Sequence, residues 1–536
     1  EKDFLSKTLI TIKDKDLDQE KEQNQSYLIQ NENQNSASFL NRNEPPRKKS
    51  ENNQNLNEEI EYENLSTKEE VSKGIFDKEK IKEICILALP ISLFFSCLFL
   101  QQTINLIFIG NIIEDPAEKK DAINGIGITH IYINCGCISI IAGLISGFET
   151  SGSNAYGKKN YKLLGLYLQR SQLISLILVS IFLIIHYFFA LDLLEFFGVK
   201  KNVLNYIARY LPICLLFCLL DVQFSLNFRY LNIIGKSHFN LLFLLITILL
   251  HPLWCYIFII IFDFGVEGAA FSLVISQLIN VLLASFYIYI IKPLPESIFC
   301  FNKHSFKGWW AYLKVSIPSA FLMCAEWWAW EILAVLAATL SQEDFTVHIF
   351  TINIIININV IIIGFGMAIT ILVGREFGKG KIKTAVQYFK ICAFISNIFI
   401  FIVAIFIFFF KKTIFEKFAH EPSLTERSEK ILQLLCLIIL FDLNQSLFTS
   451  FFRGVGKLIY ATVITFSNYY LFQVGFALIF TKYLQLEIFG IWLAILIAAI
   501  TSCFINSCVY CNMDLEKVLY ETQRRLSEDN KVANEE

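Results

Sequence analysis

After its first eighty residues the chain is dominated by long apolar runs separated by short polar breaks. A bilayer-spanning helix needs about 20 consecutive, mostly apolar residues. Twelve runs satisfy this: 84–111, 122–148, 163–190, 204–231, 238–262, 266–291, 310–340, 345–373, 384–410, 431–452, 460–481 and 488–511. Barrel strands would be shorter and would alternate apolar with polar positions, and these runs do not. The pattern therefore predicts an all-α polytopic membrane protein. It divides into six-helix bundles at 84–291 and 310–511, a linker at 292–309 and a charged tail at 512–536. Residues 1–80 carry 13 basic and 18 acidic residues and no apolar face. Such a segment buries too little apolar surface to offset its ordering entropy, so it is expected to be disordered. It lacks the basic start and apolar core of a signal peptide. The chain opens at Glu1, which leaves room for a longer natural N-terminus.

Composition adds little to this picture: 536 residues, 55% hydrophobic, a formal net charge of −2 and a mean hydropathy of +0.51. The fourteen cysteines are scattered through apolar segments without zinc-type or secreted spacing and read as small hydrophobes. No metal or other cofactor is called for, and no nucleic-acid partner.

Charge placement is more informative. Lys158, Lys159, Lys162 and Arg170 follow helix 2 without an acid, and Arg375, Lys379, Lys381 and Lys383 follow helix 8. Arg229 and Lys236 follow helix 4; Arg453 and Lys457 follow helix 10. The opposite set of loops is acidic, with Glu114, Asp115, Glu118 and Asp121 after helix 1 and Glu343 and Asp344 after helix 7. Basic bias marks the cytoplasmic side, which puts both termini in the cytoplasm.

Shifting the chain by roughly 221–228 residues superposes its landmarks. Pro90 falls on Pro318, Tyr156-Gly157-Lys158 on Phe377-Gly378-Lys379, Tyr167 on Tyr388, Asp221 on Asp442, Gly235-Lys236 on Gly456-Lys457, and Gly268 on Gly490. The repeats are parallel, as in several secondary transporters. They differ in chemistry. Glu326 and Glu331 lie in Cys-Ala-Glu-Trp-Trp-Ala-Trp-Glu (324–331), within an otherwise apolar run, where the first repeat has Leu98 and Thr103. A carboxylate at the centre of a spanning helix costs roughly 2.5–3.5 kcal/mol on insertion scales and marks function. Helix 1 instead offers Gln101, Gln102 and Asn105.

These residues resemble the eukaryotic branch of the multidrug and toxin extrusion (MATE) family over about 84–511. The resemblance rests on Gly147-Phe148-Glu149-Thr150 through Arg170-Ser171 after helix 2, on Glu326-Trp327-Trp328 with Glu331 in helix 7, and on Phe452-Arg453-Gly454-Val455-Gly456-Lys457 with Asp442 in helix 10. It implies a secondary antiporter that exports organic cations or other amphipathic compounds in exchange for protons, with sodium the second choice. Two V-shaped bundles would rock about a central cavity. Asn105 aligns near the helix 1 aspartate of prokaryotic members, which favours proton use. Helix 8 has Asn353 and Asn359 where some animal members have Glu and Tyr, so drug preference stays open.

The chemistry fits that role. Burial favours the neutral form of a carboxylate and a nearby cation favours the ionised form, so proton and organic cation compete for one group. Trp327, Trp328 and Trp330 can add cation–π attraction of roughly 0.5–2 kcal/mol. Five residues at about 100° each separate Glu326 and Glu331 by roughly 140° on a straight helix, so they do not share a face. Glu331 and Asp442 are expected to face the cavity, with Glu326 in the proton network and Trp327, Trp328, Trp330, Gln101, Asn105, Asn353 and Asn359 lining the cavity. Asp221, read as lying nearer a helix end, and Glu149, read as holding the turn after helix 2, are secondary candidates. His130, His186 and His251 are equally readable as relays or as helix-packing hydrogen bonders. No catalytic residue is assigned. A lipid-linked sugar flippase would need a basic cavity, and no arginine cluster falls inside the expected spans. An intramembrane enzyme would need a His/Asp, Ser/Lys or metal set at depth. The reading is completed by a monomer in the plasma or vacuolar membrane.

Overall fold

The structure, a computed structural model, describes residues 77–416 and 422–534. Nearly all of the expected disordered tail, 1–80, lies outside the described residues. Twelve helices are long and apolar enough to cross a membrane: α1 (Lys78–Ile112), α2 (Pro116–Gly157), α3 (Tyr161–Phe196), α4 (Lys201–Ile233), α5 (Ser237–Ile261), α6 (Gly265–Ile291), α7 (Trp309–Ala338), α8 (Gln342–Gly378), α9 (Ile382–Glu416), α10 (Pro422–Gly454), α11 (Leu458–Lys482) and α12 (Glu487–Cys511). A thirteenth, α13 (Leu515–Asn534), follows. No strand occurs among the described residues. Because the spans alternate in direction, the start of α1 and the end of α12 share one face, called here the termini face.

Several helices run past the apolar runs, for local reasons. Asp115 caps α2 by accepting from Glu118 N at 2.9 Å, with Pro116 in the first helical position, so the acids placed in a loop begin the helix instead. At its other end α2 continues through the polar stretch Thr150–Gly157, where Asn154 and Ser153 pack against α8 and escape solvent. Pro90, Pro212, Pro252 and Pro318 sit within α1, α4, α5 and α7. Each removes one backbone donor, a loss that neighbouring helices can make good in a membrane bundle. The carbonyl of Pro318 accepts from Thr462 Oγ1 of α11 at 2.8 Å. Asn134–Ile138 of α2 and Asn468–Val474 of α11 form wider π-type turns.

The two bundles, α1–α6 and α7–α12, meet where glycines let backbones touch. A Cβ on Gly143 (α2) would come within 2.9 Å of Ala320 N and Ser319 O (α7). Its repeat mate Gly364 (α8) would place one 2.8 Å from Ala88 O and 2.9 Å from Ser92 N (α1). At the termini face Gly157 packs on Arg375 and Gly378 packs on Asn154, again a repeat-related pair of contacts. The internal repeat is thus a structural pseudo-twofold, and the seam follows it. Ion pairs reinforce this face: Arg375 Nη2 lies 2.6 Å from Glu83 Oε1, and Tyr388, the repeat mate of Tyr167, donates its hydroxyl to Glu83.

Two sequence expectations change here. Within the segment read as a charged tail, 512–536, Leu515–Asn534 form α13, capped by Asp514 and buried along Val518 and Leu526. Arg170, read as a loop signal, is fully buried in α3 and donates to the His304 carbonyl at 3.3 and 3.2 Å. It therefore holds the connection between the bundles, whose short 3₁₀ turns Pro295–Ser297 and Lys303–Phe306 lead into α7.

Candidate functional site

Glu326 lies near the middle of α7, and Asp442 lies two-thirds along α10. Both side chains are partly accessible. They are close enough to interact electrostatically. Tyr469, in the π-type turn of α11, senses both carboxylates and is a hydrogen-bond partner of Trp330. Gln445 Nε2 donates to the Tyr469 hydroxyl at 3.3 Å. The wider turn shifts the register of α11 locally, and such turns recur at functional sites. The second bundle thus holds a polar cluster of two acids, a phenol, an amide and an indole.

Glu331 points elsewhere, as the 140° separation requires. It lies against Cys135 in the π-type turn of α2, across the seam. Trp328 Nε1 donates to the Cys135 carbonyl at 2.9 Å. Asp442's acidic neighbour is thus Glu326, while Glu331 belongs to the α2–α7 contact between the bundles. Trp330 joins the acid cluster, Trp328 is 43% exposed at the seam, and Trp327 is partly buried.

Two of the polar residues of helix 1, Gln101 and Asn105, are buried. Asn105 is fully buried, with Nδ2 donating to Ala269 O at 3.0 Å and Oδ1 meeting His251 Nε2 at 3.0 Å and Cys255 Sγ at 3.1 Å. The other nitrogen of His251 bonds Ser276 at 2.9 Å. Gln101 is 5% exposed. Both were expected to line the cavity; the structure commits Asn105 to packing among α1, α5 and α6. The histidines behave alike. His130 meets Tyr210 and His186 meets Tyr132, at 3.1 and 2.5 Å. In α8, Asn353 is exposed and bonds back to Ile349 O at 2.8 Å, while Asn359 is partly buried.

Asp221 is the repeat mate of Asp442 but has different company. It sits well inside α4, not near an end, and accepts from Gln277 Nε2 at 2.8 Å. Among the described residues no second carboxylate is within electrostatic reach of it, and Leu98 stands where the other repeat has Glu326. Glu149 is also placed anew: it is fully buried inside α2, in an ion pair with Arg229 of α4, and it senses Arg453 of α10 across the seam. Arg453 in turn senses Glu326. Arg229, just over a turn before the end of α4, and Arg453, in the last turn of α10, both read as loop signals, lie inside helices and within electrostatic reach of Glu149. Arg229 has a carboxylate partner in Glu149, whereas Arg453 is within electrostatic reach of Glu149 and Glu326 and keeps a buried Nε without a hydrogen-bond partner among the described residues.

Sequence reasoning missed Tyr469, Gln445 and the two arginines. The arginines were visible, but their nearness to Glu149 depends on three helices meeting. Among the described residues no group of His, Cys, Asp and Glu could hold a metal ion.

A duplicated, twelve-span helical chain with buried acids in both repeats and two interacting acids in the second has the features of a polytopic membrane transporter. The MatE family model matches residues 85–257 and 318–479; the chain belongs to that family. Relatives include multidrug and toxin extrusion protein 1 of Xenopus tropicalis, 24% identical over 454 residues, covering 84% of this chain and 77% of the relative. Protein DETOXIFICATION 20 of Arabidopsis thaliana is 25% identical over 386 residues, covering 70% and 76%. The fold matches the crystal structure of the eukaryotic MATE transporter AtDTX14 with a TM-score of 0.76 at 19% identity, covering 83% of this chain and 99% of that one. It also matches an outward-facing multidrug resistance MATE family transporter, with a TM-score of 0.72 at 20% identity, covering 84% and 96%.

Proposed function

We propose that this transporter exports organic cations or related amphipathic compounds in exchange for protons, with the exchange carried by Glu326 and Asp442. The observation that supports this is their juxtaposition beside Tyr469 in one bundle, with no counterpart at Asp221 in the other. Two interacting carboxylates in a low-dielectric bundle cannot both be ionised cheaply unless a positive charge joins them. A proton meets that need, and so does an organic cation. Binding one displaces the other, which makes transport an exchange. The names of the relatives, multidrug and toxin extrusion and detoxification, fit this class of cargo.

In this reading Glu331 and Trp328, at the α2–α7 seam, meet the cargo as the bundles part, together with the neighbouring Trp327. Alternating access would swap the closed termini face for a closed opposite face by rocking about the glycine contacts. The termini face is the cytoplasmic one, by the basic bias of its loops. The transporter works as a monomer in the plasma or vacuolar membrane.

The test is uptake and release of a fluorescent organic cation by proteoliposomes under an imposed pH gradient or an imposed sodium gradient. A rate that follows the pH gradient and ignores sodium supports proton exchange. A rate that follows sodium alone overturns it, and a rate indifferent to both overturns antiport.

A further inference from the structure

The C-terminal helix α13 lies on the termini face and bonds to both bundles at once. Toward the first bundle, Asn530 Oδ1 accepts from Asn160 Nδ2 of the α2–α3 turn at 2.8 Å, and Asp529 accepts from the hydroxyl of Tyr167 in α3. Toward the second, Gln523 Nε2 donates to the carbonyls of Phe377 and Gly378 at 2.9 and 3.0 Å, at the end of α8. Thr522 Oγ1 reaches Val455 O at 3.4 Å, and Lys457 pairs with Glu521. Gly378, one acceptor of Gln523, is also the glycine that packs on Asn154 across the seam. The helix therefore crosses the seam at its tightest point.

We propose that α13 is a releasable latch that holds the termini face closed and must leave one bundle before that face can open. This rests on the alternating-access reading above. The chemistry of the two attachments says which one yields. A connection of only three residues, Asn512 to Asp514, ties α13 to α12 of the second bundle, so those contacts are held by a short tether. The contacts to the first bundle are side-chain hydrogen bonds, which water can replace at small net cost. Leu526 and Val518 are buried, whereas Tyr520 on the outward side is 68% exposed, so one face of α13 is free for solvent or a partner while the other grips the seam. The tyrosine pair shows the same logic in the repeat. Tyr388 of α9 bonds Glu83 of the opposite bundle, and its mate Tyr167 bonds α13, which takes the place of a direct contact. On one side of the pseudo-twofold the tie is built into a spanning helix; on the other it is on a detachable one.

The test uses the full chain in proteoliposomes and a native reporter. Cys392 is 1% exposed in α9, against Cys85 of α1 across the seam. Its alkylation by a membrane-impermeant maleimide, quantified peptide by peptide, reports opening of the termini face. Tyr167→Phe with Asn530→Ala removes the two bonds to the first bundle named above and leaves Gln523, Thr522 and Glu521 on the second. Two net hydrogen bonds correspond to a shift of roughly fivefold or more in the open fraction, so Cys392 should be labelled at least about fivefold faster than in the wild type. Gln523→Ala, which cuts the other attachment, should act in the same direction. Unchanged labelling in both variants overturns the latch. So does equal acceleration at Cys214 and Cys218, buried inside the first bundle, because that signals a loosened fold. A wild type indifferent to ion gradients would refute antiport yet leave this labelling comparison intact.

Discussion

Replacing Gly157 by Ala should unbalance the transporter without weakening its fold. Gly157 ends α2 against Arg375 of α8, and a Cβ there would overlap the Arg375 carbonyl oxygen, standing 2.7 Å from its carbon and 2.9 Å from its Cα. Ordinary contact begins near 3.4 Å, so α2 and α8 must separate by well over the ~0.7 Å that clears the carbonyl carbon alone, because the oxygen is closer still, and the obstacle is backbone that no rotamer change can move. Overpacking of this kind costs about 1–3 kcal/mol, or roughly fivefold to 150-fold in a two-state ratio. Alanine also favours helix over glycine by about 1 kcal/mol, but that gain is present whichever face is open and cancels from the ratio. The cost falls only on the state with the termini face closed. The expected result is faster maleimide labelling of Cys392 by the same factor, slower steady-state exchange, and a thermal unfolding midpoint close to wild type. Gly378→Ala should do the same through Asn154. Wild-type labelling and transport in both variants would mean the seam does not close as described, and the rocking account would fail with it.

Three further outcomes follow from individual contacts. Arg229→Gln strands the fully buried Glu149, at about 3–5 kcal/mol for a broken buried pair, so thermal stability should fall sharply. The double variant with Glu149→Gln should recover more than half of the loss, and no recovery would refute the pairing. Asn105→Ala should lower stability by roughly 1–3 kcal/mol, through the partners it leaves unsatisfied, while the KM for an organic cation stays unchanged. A raised KM with normal stability would restore it to the cargo path. Tyr469→Phe keeps the ring and removes the hydroxyl beside the acids; gradient-driven exchange should drop while passive binding of the cation persists, and equal loss of both would mark Tyr469 as structural.

The fold was legible because its determinants are local. Apolar runs, proline positions and glycine-lysine turns recur at one offset, and the structure turns that offset into paired contacts such as Gly143 on Ala320 and Gly364 on Ser92. The acids were also visible, since Glu326, Glu331 and Asp442 interrupt apolar runs. Their partners were not, because neighbours in a bundle are set by which helices cross. A 140° rotation says that Glu326 and Glu331 diverge; only the packing of α7 between α2 and α11 says which acid comes within reach of Asp442. Asn105 misled for the complementary reason. A polar residue in a span can face an opening or a neighbour's carbonyl, and here Ala269 and His251 claim it. Arg229 and Arg453 read as loop charges because the apolar runs end early, while the helices continue until Glu149 and its surroundings compensate them.

The claim that matters most is that coupling resides in the Glu326–Asp442 pair. The direct measurement is pH-gradient-driven exchange of a fluorescent organic cation in proteoliposomes, for wild type, Glu326→Gln, Asp442→Asn and Glu331→Gln at matched protein incorporation. The account predicts that either change in the pair abolishes the response to the gradient, while Glu331→Gln slows exchange but keeps the response. A Glu331→Gln variant that alone loses the gradient response, with both members of the pair dispensable, would contradict it.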